Sequence, residues 1–195
     1  MPIPLSSFFP LKPGRAHEAQ GPGAPFFALA ACAARPVPQP CLWIAERWQA
    51  EQLHPEGVAP YLDPARLLFA HTKDHPDTLA SAEEALRSAA FGVVVTRLSQ
   101  PLTLFTGRRL QLAAQAGKST GLFLIDESAG SASAETRWHC APHFAPDDST
   151  LQRWQLTKNK SGTLTEWVTR WDEETRGVIV VSKTAERAGA TRSPD

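Results

Sequence analysis

The rhythm of apolar and polar positions changes about two-thirds of the way along the chain. Before that point, apolar runs of strand length alternate with helical segments. The runs are CLWIAE (41–46), LLFAH (67–71), GVVVTRL (92–98) and TGLFLIDE (120–127). They are apolar throughout rather than alternating, which suits strands covered on both faces of a mostly parallel sheet. Between them, DTLASAEEALRSAA places Leu79, Ala82, Leu86 and Ala89 at helical spacing, with Asp77 as the expected N-cap. A further helix is expected over 104–116, with Gly117 as its C′ residue. The last third carries little helix. ETRWHCAPHF, RWQLTKNK, TLTEWVTRW and GVIVVSK read as strands, and NKSG (159–162) as a hairpin turn. Trp167, Thr169 and Trp171 fall on one face of their strand, Val168 and Arg170 on the other. The expected class is α/β, a mostly parallel sheet flanked by helices and extended by C-terminal antiparallel strands. Residues 1–12 read as an irregular arm, 13–183 as the domain, and 184–195 as a polar, disordered tail.

A first strand over 15–20 leads into Gly21, Pro22 and Gly23 and then into a small apolar helix. Pro25 suits the first turn of that helix, and Phe26, Leu29, Ala30 and Ala33 fall on one face. Strand, glycine turn and helix make the start of a phosphate-binding loop. Such a loop needs backbone N–H groups curled round phosphate, a lysine on the β- and γ-phosphates and a hydroxyl on Mg²⁺. Here Phe26 stands where the last glycine belongs, Phe27 where the lysine belongs and Ala28 where the hydroxyl belongs.

Charge and composition narrow the picture further. Lys plus Arg and Asp plus Glu both number 20, so no global attraction to nucleic acid or anionic membrane is expected. The prolines of MPIPLSSFFPLKPG do not suit a signal peptide, no run approaches the roughly 18 apolar residues of a membrane span, and the expectation is cytoplasmic. The three cysteines, Cys32, Cys41 and Cys140, have no CxxC spacing and read as reduced core residues. In HCAPH, His139 and His143 would share a strand face with Cys140 turned away, which lacks ligands for a metal site. No nucleophile motif is present. Of the six tryptophans, those on the late strands read as core, or as one or two partner contacts, and Trp48 is the one most expected to be exposed.

Several strings, in order, resemble the RecA family. LKPGRAHEAQGPG resembles its entry into the phosphate loop, CLWIAE the strand with its catalytic glutamate, and FGVVVTRLSQP the Walker B strand. RRLQLAAQAGKSTGLFLIDE is similar to the next helix and strand, and WQLTKNKSG to a late Lys-Asn-Lys hairpin. The likeness spans about residues 12–181. Within it, LDPARLLFAHTKD, EEALRSAAFGVVV and ETRW resemble a reduced branch, the ImuA family of inducible-mutagenesis proteins. The resemblance implies a RecA-like core and puts Glu46 near the catalytic glutamate and Thr96 at the Walker B aspartate. With lysine, hydroxyl, last glycine and aspartate all replaced, the expectation is no ATP hydrolysis and no cofactor.

The resemblance further implies a role in SOS-induced translesion synthesis. The implied partners are an ImuB-like polymerase homologue, an error-prone DNA polymerase III alpha subunit and RecA itself. Lys158 and Lys160 match lysines that reach a neighbour's nucleotide in the family; they read either as a solvated hairpin or as a basic partner contact. Arg187 and Arg192 on the tail, and Trp48, are further partner candidates. The stretches matching the family's DNA-binding loops, RLSQPLTLFTG and SAGSAS, are short and lack a basic-aromatic cluster. The family's filament-linking N-terminal segment is not matched either. DNA binding is therefore expected to be weak or indirect. The alternative is a SulA-like inhibitor of the division protein FtsZ, a resemblance limited to about residues 41–127.

Overall fold

The computed structural model describes residues 3–35, 39–49, 53–127 and 130–182. Strands β1 (Ala16–Gln20), β2 (Cys41–Glu46), β3 (Leu67–Thr72), β4 (Val93–Arg97), β5 (Thr120–Leu124) and β6 (Thr136–Pro142) pair in parallel. Strands β7 (Gln152–Asn159), β8 (Thr165–Asp172) and β9 (Gly177–Ser182) continue the same sheet antiparallel. The order across the nine-stranded sheet is β3-β2-β4-β5-β1-β6-β7-β8-β9. β2 and β5 are buried at every position, as apolar runs predict for strands covered on both faces. β6 alternates buried and half-buried residues, which marks the end of that double cover.

One face carries α1 (Ala24–Ala33); the other carries α3 (His75–Arg87) and α4 (Leu104–Gly117). A single-turn α2 (Pro55–Val58) follows β2. The α3/α4 core is mainly aliphatic: Ile44, Val94, Leu86, Leu110 and Phe123. The α1 core is aromatic at its β6 end, where Phe27, Trp138, Trp154 and Trp167 are all fully buried. Residues 3–12 of the arm join this core. Leu5, Phe9 and Leu11 are buried, and the Trp167 indole N–H donates to the Ile3 carbonyl at 3.0 Å.

Four local expectations are corrected. Asp74, not Asp77, caps α3: its carboxylate accepts the Asp77 N–H at 3.0 Å, and the Asp77 carboxylate accepts the Lys73 N–H at 3.1 Å. The two acids satisfy donors on either side of the first turn. The left-handed residue after α4 is Lys118 (φ 54°), while Gly117 is its last helical residue. A Cβ on Gly117 would lie 1.9 Å from the Leu86 carbonyl oxygen, so glycine serves helix packing there. α1 is not one-faced: Phe27, Ala28, Ala31 and Cys32 are as buried as Leu29 and Ala30, because arm and sheet enclose it. β6 ends at Pro142, so His143 does not share a strand face with His139. His139 lies 3.3 Å from Glu127 and His143 3.3 Å from Arg153.

Cys32, Cys41 and Cys140 are buried free thiols, and burial pushes the Cys140 thiol up. The hairpin forms as expected, with the Gly162 N–H donating to the Asn159 carbonyl at 2.9 Å. No described helix is long and apolar enough to cross a membrane. The tail beyond residue 182, with Arg187 and Arg192, lies outside the described residues.

Candidate functional site

The carboxyl ends of β1, β4 and β5 open on a crevice of about 400 Å³, where ligands of open α/β sheets sit. Gly21, Pro22, Arg97, Asp126 and Glu127 are among its walls. The β1–α1 loop forms one side and leans on β6. The Gly23 N–H donates to the Cys140 carbonyl at 2.8 Å. Gly21 is left-handed (φ 87°), and a Cβ there would lie 2.6 Å from the same oxygen. At Gly23 a Cβ would lie 3.0 Å from both the Ala141 nitrogen and the Cys140 carbonyl carbon, backbone atoms of β6. Gly21 is thus required by its close approach to β6, and Gly23 packs tightly on the same strand.

Beyond the turn, Phe27 is fully buried. Its ring meets Trp154 edge-on at 4.7 Å and lies 5.2 Å from Trp138 and 5.6 Å from Phe9. Such ring pairs add about 0.5–1.5 kcal/mol each to the area they bury. Phe26 is half-buried, edge-on to Tyr61 at 5.3 Å, and Ala28 is fully buried. Thr96 is fully buried on β4, beside Ile44 and Phe123, and its hydroxyl has no hydrogen-bond partner among the described residues.

Glu46 ends β2 in a buried position. Its Oε2 accepts the Trp48 indole N–H at 2.7 Å, and its Oε1 accepts the Ser99 hydroxyl. Both oxygens are therefore engaged. The rest of Trp48 faces solvent, at 66% exposure.

Lys158 fits neither of its two readings. Its ammonium donates to the carbonyls of Ser131, Ala132 and Ala134 at 3.0, 2.8 and 2.7 Å. It is a clamp on the β5–β6 loop rather than a free basic contact. Burial and the nearby cations of Arg137 and Lys160 lower its pKa, against Glu18 and Glu135, which raise it. Lys160 is more open and lies 3.9 Å from Glu135.

A group that no sequence motif marks completes this clamp. Glu18, in the centre of β1, is 1% exposed. It accepts Arg137 Nε and the Ser131 N–H, each at 2.8 Å, and Arg137 Nη2 donates to the Ser131 carbonyl at 3.1 Å. Next to it, His17 is buried. The His17 Nε2–H donates to the Lys12 carbonyl at 3.1 Å, so Nδ1 accepts the Thr136 hydroxyl at 2.7 Å. Thr136 in turn accepts the Trp138 indole N–H at 2.9 Å. Burial, and then the nearby arginines and Lys12, hold His17 down at about 4 despite its bond to the Lys12 carbonyl. The signal was available: two ionisable residues in a central strand demand buried partners.

The fold as a whole is similar to that of a solved structure, the RadB recombinase. The TM-score is 0.65 at 13% sequence identity, over 88% of this chain and 92% of that one. The fold is RecA-like. At that identity the RecA-like likeness speaks for the fold alone. No family model matches the chain, and no curated protein sequence does.

Proposed function

We propose that this chain is a non-catalytic RecA-like accessory protein of SOS-induced translesion synthesis. In that role it acts as an adaptor for an ImuB-like polymerase homologue and an error-prone DNA polymerase III alpha subunit, with RecA as a further contact. The observation that carries the non-catalytic part is the position of Phe27. The residue in place of the phosphate-binding lysine is locked among Phe9, Trp138 and Trp154. Around it, the Gly23 N–H is spent on Cys140, and Pro22 and Pro25 have no N–H to offer. Asp126 and Glu127 add negative charge where a polyphosphate would sit. At the catalytic glutamate position, both oxygens of Glu46 accept hydrogen bonds from Trp48 and Ser99.

The cellular role rests on the resemblance to the ImuA family, and the pinned β5–β6 loop favours weak or indirect DNA contact. Trp48, Lys160 and the segment with Arg187 and Arg192 remain the proposed contact residues. The test is co-purification of the full chain with four candidates: an ImuB-like protein, the polymerase subunit, RecA and FtsZ. Capture of the ImuB-like protein, weakened by Trp48→Ala, is expected. Capture of FtsZ alone would sink the proposal in favour of the SulA-like reading.

A further inference from the structure

Helix α4 turns unusual residues to solvent. Leu104 is 69% exposed, Phe105 70% and Leu112 46%. Arg108 and Arg109 lie on the same arc, and the helix contains no acidic residue. A surface helix normally puts polar side chains there. The buried arc of α4 is already complete, with Gly107, Leu110, Gln111, Ala113, Ala114 and Gly117 against the sheet and its neighbours. The outward apolar residues therefore contribute nothing to the core.

Beside them runs a groove between α3 and α4, with a cavity of about 190 Å³. Its floor is apolar, from Leu79, Ala80 and Leu110, and Arg109 stands on its rim. The Arg109 guanidinium lies 5.8 Å from the Phe105 ring centroid, so aromatic ring and cation form one unit. The one carboxylate in the groove wall, Glu83, is held between Arg87 at 2.9 Å and Arg109. Two arginines thus face one acid, and Arg108 stands exposed beside them on α4.

We infer that the α3–α4 groove is the docking site for an acidic amphipathic helix of a partner protein. Leucine-sized side chains of that helix pack on Phe105, Leu112 and the Leu79–Ala80 floor, and its carboxylates meet Arg108 and Arg109. Groove docking of an amphipathic helix uses this geometry, and aromatic and arginine side chains carry most of the energy at such interfaces. Charge complementarity selects the occupant. A second copy packed through α4 would bring arginine against arginine, which disfavours self-association. The inference does not rest on the adaptor reading, since a nucleotide-binding chain could carry the same groove.

The test uses the full chain and a fluorescein-labelled 16-residue peptide. The peptide has Leu at positions 3, 6, 7, 10 and 14, Glu at the flanking positions and Ala elsewhere, in the helical spacing argued above. A copy with Lys for Glu and a 20-nucleotide single strand serve as competitors, designed to separate acidic-helix from phosphate recognition. Binding of the Glu peptide in the range of tens of micromolar is expected at low salt, at least about tenfold weaker for Phe105→Asp. Arg108→Glu should shift preference toward the Lys peptide. Thermal melts of both variants check that they fold, and both changes are at exposed positions. Failure of the Glu peptide to bind at 500 µM overturns the inference. So does equal binding by the Phe105→Asp variant, preference for the oligonucleotide, or a wild-type dimer that Phe105→Asp makes monomeric.

Discussion

At the scale of the residue, the buried polar groups of β1 carry the sharpest expectations. His17 is neutral in the folded chain, with its pKa lowered from 6.5 to about 4. Above pH 6.5 it is neutral in both folded and unfolded states. As pH falls from 6.5 to about 4 the unfolded chain takes up a proton that the folded one refuses. Stability therefore falls with pH over that window, by roughly 3 kcal/mol in full. Denaturant melts at pH 7.5, 6 and 5 should show the gap between wild type and His17→Gln closing as the pH drops; a constant gap would contradict the assignment. Glu18 gives a second expectation. Arg137→Met leaves its buried carboxylate with the Ser131 N–H and no ion-pair partner in contact among the described residues, and should cost about 3–5 kcal/mol. Adding Glu18→Gln should recover part of that loss, read from the same melts.

At the scale of the element, most of the pattern was legible and most of the errors were at ends. The apolar runs located β2 to β5, and the NKSG turn located the β7–β8 hairpin, because burial and turn chemistry are local signals. Helix ends were less legible. Asp74 and Asp77 are both suitable caps, and only the backbone geometry separates them. Gly117 has the residue type of a helix stop but is selected by the Leu86 carbonyl across the α3–α4 contact, which no local pattern records. Gly117→Ala should therefore destabilise by about 1–3 kcal/mol through overpacking. Lys118→Gly, one residue on at φ 54°, should stabilise by up to about 1 kcal/mol. Thermal unfolding of the two variants, with opposite signs, checks the assignment; two changes of the same sign would overturn it.

At the scale of the whole molecule, the arm and the antiparallel strands close one end of a RecA-like sheet around an aromatic core. The departures proposed at Phe26, Phe27 and Ala28 were legible because a phosphate loop has a fixed spacing. What fills the space was not, because Phe9, Trp138 and Trp154 come from three distant parts of the chain. Nor was the clamp on the β5–β6 loop, which joins Glu18, Arg137 and Lys158 across three strands. Phe9 touches both Phe27, at 5.6 Å, and Trp154, at 5.2 Å. Phe9→Ala should cost about 3–5 kcal/mol and shift tryptophan emission to the red. An unchanged spectrum and melting temperature would mean that the arm does not hold the core.

The central claim is that the phosphate loop has become core. Isothermal titration of the full chain with Mg-ATP tests it most directly. No binding heat is expected up to millimolar nucleotide, while micromolar binding with a defined stoichiometry would contradict it.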